Sequence, residues 1–167
     1  MDGELAAALK FLISAVEGTG PITISTAQTQ TWFIFTDGAY EPSASEPGTI
    51  GGLLVDQWGH SREYFGLAIP QTLLAQFMEE SDHPIYELEL LPVVVAIRLW
   101  SQLLLRTHTV FYLDNTAAHS ALVRADGATK AAKTMVLEFV RYENFYTCCL
   151  GLEECPLTVI PQTMLHA

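Results

Sequence analysis

The sequence predicts a single α/β domain in which a mixed sheet, an antiparallel three-strand meander plus parallel strands, carries helices packed on it. Two apolar runs rich in aromatic and β-branched residues, Thr31-Trp32-Phe33-Ile34-Phe35-Thr36-Asp37 and Thr109-Val110-Phe111-Tyr112-Leu113-Asp114, read as buried strands that each end on a carboxylate. Two more strand-like runs come after the first at hairpin spacing, and stretches of helical periodicity flank the second. With 167 residues, 50% of them hydrophobic, the chain is long enough for one core and too short for two comfortable ones.

Taken in order, Glu4 to Glu17 places Leu5, Leu9, Leu12 and Val16 at helical spacing and ends at Gly18-Thr19-Gly20-Pro21. Residues 1–21 are therefore expected to form an N-terminal helix and linker, with the domain proper over 22–150. Ile22 to Gln30 reads as a polar connection with short β character, the strand ending at Asp37 comes next, and Tyr40 to Pro47 is a loop by its Pro, Ser and Glu content. Thr49 to Val55 and Ser61 to Ala68 are strands joined through Asp56-Gln57-Trp58-Gly59-His60, a hairpin turn containing glycine. Gln71 to Glu80 is a short helix broken by Ser81-Asp82-His83-Pro84. The next helix is expected to start near Leu88 or Glu89, because Pro92 is tolerated while first-turn amides lack intrahelical partners. Running to Leu105, it is the crossover that lets the fourth strand lie parallel to the first. A helix from Asn115 to Arg124 stops near Asp126-Gly127, and a longer one from Thr129 to Tyr146 offers Ala132, Met135, Val136, Phe139, Val140 and Tyr142 as its apolar face.

A lone aspartate before glycine is ordinarily a turn residue, but here the pattern is repeated, with Asp37 and Asp114 at the carboxyl ends of neighbouring strands. Between them lies Glu87-Leu88-Glu89 at the mouth of an apolar helix. At about 100° per residue Glu89 shares a face with Val93, Ala96 and Trp100, whereas Glu87 points nearly opposite and reads as a helix-start carboxylate favoured by the dipole. Asp37, Glu89 and Asp114 are thus the candidate site, and their oxygens suit a hard divalent cation such as magnesium. His119 reads as a helix-surface histidine rather than a proton-transfer group.

Phe35-Thr36-Asp37-Gly38-Ala39, then Glu89-Leu90-Leu91-Pro92-Val93 with Ala96 and Trp100, then Tyr112-Leu113-Asp114-Asn115-Thr116-Ala117-Ala118 occur in an order that resembles the ribonuclease H family. The resemblance runs from Trp32 to Tyr146 and is nearest to the domain that comes after the polymerase in retroelement reverse transcriptases. It implies hydrolysis of the RNA strand of an RNA–DNA hybrid, with Asp37, Glu89 and Asp114 as catalytic ligands of two magnesium or manganese ions. One ion would activate water and the other stabilise the leaving oxygen. It also implies a reverse transcriptase polymerase domain as partner, in cis or in trans.

The family's fourth acid, in a stretch resembling Trp, spacer, Val-Pro-Ser, two residues, Asn-x-Ala-Asp, is absent after Leu150. Impaired hydrolysis is one expectation and a catalytically inactive connection module the other. Read across codon boundaries, Leu150-Gly151 can encode Trp, Glu154 through Leu157 can encode Val-Pro-Ser, and Leu157 through Met164 can encode His-Ser-Asn-Pro-Ala-Asp-Asp. Residues 151–167 are therefore expected to be an atypical tail produced by a shifted reading frame.

Lys and Arg total 8 against 19 for Asp and Glu, a formal net charge of −11, which weighs against a free-standing nucleic-acid binder. Divalent cations or a basic neighbouring domain would have to help hold such a substrate. No uncharged apolar run reaches the roughly 18 residues of a membrane span. The acidic start Met1-Asp2-Gly3-Glu4 argues against a secretory signal or presequence, so an intracellular location, cytoplasmic or nuclear, is expected. Cys148, Cys149 and Cys155 read as reduced thiols, and no histidine is spaced to complete a zinc site.

Overall fold

The computed structural model describes residues 10, 30–80, 82–146 and 149–154. Apart from residue 10, the expected N-terminal helix lies outside the described residues, as do the connection up to residue 29, Cys148, Cys155 and the rest of the tail.

The central strand β1 (Thr31–Tyr40) buries every second residue, so Trp32, Ile34, Thr36 and Gly38 face the core. It pairs antiparallel with β2 (Gly48–Asp56), which pairs antiparallel with β3 (Ser61–Ala68). On its other side β1 pairs in parallel with β4 (His108–Leu113), and β4 in parallel with β5 (Cys149–Glu154), giving the order β3-β2-β1-β4-β5. The meander and the parallel partner are thus as expected, and β5 crosses residue 150 to lie on the sheet. Among the described residues from 30 onward, five helices accompany the strands: α1 (Gln71–Met78), α2 (Ile85–Leu99), the single turn α3 (Ser101–Leu104), α4 (Thr116–Arg124) and α5 (Lys130–Tyr146). Ile34 and Leu54 from the sheet, Leu88 and Val93 from α2, and Phe111 and Leu113 from β4 are completely buried. Each such side chain contributes about 1.5–3 kcal/mol of burial, which fixes α2 across β1 and β2.

The hairpin between β2 and β3 is closed by Asp56. Its fully buried carboxylate accepts hydrogen bonds from the backbone N–H groups of Trp58 (3.0 Å) and His60 (2.9 Å) and from Arg62 Nε (2.8 Å), while Gly59 supplies the positive φ of +85°. Burial pushes this carboxyl upward, but the donors from His60, Arg62 and Trp58 outweigh it and hold the pKa at about 2.

Two expectations are corrected. β1 does not stop at Asp37 but runs to Tyr40, because pairing with β2 continues through Asp37↔Gly51 to Tyr40↔Gly48 after the parallel ladder with β4 has ended at Phe35↔Tyr112. The crossover helix begins at Ile85 rather than Leu88 or Glu89, placing Pro92 in its interior, and it ends at Leu99 rather than continuing to Leu105, since Trp100 leaves helical geometry at φ −101°, ψ 13°. Glu87 lies in the first turn, as expected of a helix-start carboxylate. It is 1% exposed and accepts a hydrogen bond from Thr129 Oγ1 at 2.6 Å, because α2 is covered by the sheet on one side and by α4 and α5 on the other. No helix among the described residues is long and apolar enough to cross a membrane.

Candidate metal centre

The register alone sets two aspartates at equal depth. The last parallel pair is Phe35↔Tyr112, and Asp37 and Asp114 each lie two residues beyond it, where β1 and β4 separate. Asp114 is held there by its neighbour in the chain: Asn115 Oδ1 accepts from the N–H groups of Ala117 and Ala118, both at 3.0 Å, capping α4 just after the strand ends. Glu89 arrives from α2, which crosses β1 so closely that a Cβ on Gly38 would lie 2.4 Å from the Leu88 carbonyl oxygen. Only glycine permits that approach.

Oxygen atoms of Asp37, Glu89 and Asp114 all lie within 4.8 Å of one another. Glu89 is 4% exposed, and Asp37 and Asp114 are half-buried. Glu89 Oε2 and Asp114 Oδ1 are buried without a hydrogen-bond partner. Such atoms cost free energy unless something satisfies them. The electrostatics point the same way. Burial, then the Asp114 charge, raises the pKa of Asp37 against the lowering effect of the Gly38 N–H. Burial, then the charges of Asp114 and Asp37 and a shared hydrogen bond with Asp114, pushes Glu89 up to about 9, again with Gly38 N–H opposing. A proton or a cation is therefore needed to hold the three groups together at neutral pH, and an all-oxygen donor set fits a hard divalent ion.

All three residues singled out in the sequence are thus brought to one place. His119 sits half-buried one turn along α4 rather than out on the surface, and it is not a member of this acidic group. Asn115 and Gly38 are the contributors that sequence reasoning passed over. Asparagine opening a helical stretch is a cap signal, and glycine directly after a strand-borne acid is a signal of close backbone approach.

No family model matches the chain, and no curated protein does. Solved structures do. Ribonuclease H1 from the halophilic archaeon Halobacterium salinarum superposes with a TM-score of 0.59 at 14% identity, covering 77% of this chain and 87% of that one. The N-terminal RNase H domain of a Mycobacterium tuberculosis protein, studied as a fusion with maltose-binding protein, gives 0.62 at 10% identity over 78% and 86%. The foamy viral protease-reverse transcriptase in complex with an RNA/DNA hybrid gives 0.55 at 8% identity, covering 87% of this chain and 20% of that one. The chain has a ribonuclease H-like fold.

Proposed function

We propose that the chain is a divalent-metal-dependent ribonuclease H-type domain that hydrolyses the RNA strand of RNA–DNA hybrids, with Asp37, Glu89 and Asp114 as metal ligands. The observation that carries this reading is the convergence of three carboxylates, two of them with unpartnered buried oxygens, where β1 and β4 separate. Magnesium or manganese held there, as a pair on the two-metal reading, would supply Lewis-acid polarisation of a phosphodiester and a more acidic water. The chain's own residues do the rest. Asn115 fixes the turn that presents Asp114, and Gly38 both admits α2 and turns its N–H toward the Asp37 and Glu89 carboxylates. Glu89 would give up its proton on ligating a cation.

The charge of −11 favours a partner that brings the cations a hybrid needs. A reverse transcriptase polymerase domain, in cis or in trans, fits that role, and the foamy viral neighbour contains one region like this chain within a much longer protein. The same charge supports a second reading, an inactive ribonuclease H-like connection module. Labelled RNA–DNA hybrid, double-stranded RNA and double-stranded DNA incubated with manganese separate the two. Cleavage confined to the RNA of the hybrid, and abolished in Asp114→Asn, is the expected result. Absence of cleavage alongside intact metal binding would leave the module.

A further inference from the structure

Pro92 stands in the interior of α2, where its ring removes the N–H that would bond the Leu88 carbonyl and crowds that same carbonyl. On the far side of that carbonyl lies β1. A Cβ on Gly38 would meet Leu88 O at 2.4 Å, Leu88 C at 2.5 Å and Glu89 N at 2.9 Å, so the whole Leu88–Glu89 peptide is pressed against Gly38. Gly38 comes directly after Asp37 and Leu88 directly before Glu89, which makes this backbone contact the hinge on which two of the three acids are set.

We propose that Pro92 is a positioning residue of the acidic centre: it denies the Leu88 carbonyl its helical donor and turns it outward, seating the Leu88–Glu89 peptide on the bare backbone of Gly38. An ordinary alanine at 92 would offer an N–H four residues on, the carbonyl would swing back toward the helix axis to accept it, and Glu89 would be drawn away from Asp37. The close backbone contact and the helix defect are then one device. This explains why a helix former is absent from a buried helix interior where it would raise stability.

The inference rests on the metal-centre reading for its purpose, and its geometry is testable apart from it. Pro92→Ala, and a second variant with lactic acid at position 92, which like proline lacks the N–H but has no ring, are compared with the unaltered chain by crystallography and manganese titration. Pro92→Ala is expected to resist urea better, to move the Glu89 carboxylate more than 4.8 Å from Asp37, and to bind manganese about 10-fold more weakly. The lactic acid variant should keep the original separation and affinity. If Pro92→Ala leaves the carboxylates where they are, or if the donor-free variant shifts them as far as alanine does, the proposal is overturned. Should the unaltered chain take up no manganese, the metal-centre reading fails, and the measured separation still decides the role of Pro92.

Discussion

Thr129 donates its hydroxyl to Glu87 Oε1 at 2.6 Å and accepts from the Ala132 N–H at 3.2 Å, so one side chain both caps α5 and gives one oxygen of a carboxylate buried 42 residues earlier its donor. Glu80 adds a second acidic contact at the same helix start, accepting from the Lys130 N–H at 2.9 Å. Thr129→Val keeps the shape and removes both roles. It is expected to cost about 1–3 kcal/mol in urea unfolding, the range for leaving a buried acceptor without its donor, with manganese affinity unchanged.

Asp114→Asn removes a negative charge from the crowded group of three carboxyls. Without metal the variant should be more stable than the parent by about 1 kcal/mol, because like charges a few ångströms apart no longer repel. With manganese the order should reverse: the parent gains stability with metal concentration, about 2.7 kcal/mol at 100 times its Kd, while the variant stays flat. Thermal unfolding across a manganese series checks both halves, and a parent that does not respond would count against the metal centre.

Glu89 sets a pH dependence whose sign is fixed. Its carboxyl rises from the usual 4.5 to about 9 in the fold, so between those values the folded state binds more protons than the unfolded one. Stability without metal should therefore be undiminished below 4.5 and fall as pH climbs toward 9. Glu89→Gln should flatten that slope. Metal affinity should rise over the same window, since binding displaces the proton.

Asp56 acts in the opposite sense. Its carboxyl is lowered from 3.8 to about 2, so its contribution is complete above 3.8 and is lost as pH falls toward and through 2. Asp56→Asn should remove this acid limb of the stability curve and lower the melting temperature at pH 7. Hydrogen exchange should then speed up first at the hairpin amides of Trp58 and His60, whose acceptor it is.

The strands were legible because alternation and abrupt polar ends are local signals: β3 has the bounds the sequence suggests, and β1 and β2 differ only in their ends. The gathering of Asp37, Glu89 and Asp114 was legible because a parallel pairing of two similar runs puts their ends side by side, and the helical repeat chose Glu89. What was not legible depended on contacts between elements. A helical wheel sets Glu87 opposite Glu89 and says nothing of what covers that side; the sandwiching of α2 between sheet and helices buries both. The clue was in the composition, since Ile85 to Leu99 is apolar nearly all round, the mark of a helix without a solvated face. The start at Ile85 was hidden because local rules forbid an interior proline, whereas here the neighbouring strand makes use of it.

β3 is the outermost strand of the sheet, and among the described residues its far side meets no other strand. Tyr64 and Leu67 project from it at 78% and 50% exposure, so among the described residues it is a sheet edge with apolar side chains beside it. The register shift between Leu54 and Val55 bends this rim, and the Arg62 tie to Asp56 pins one end of it. Loosening that tie would free a template on which a second copy could add its own rim, so self-association into β-rich aggregates is the failure this corner of the molecule holds in check.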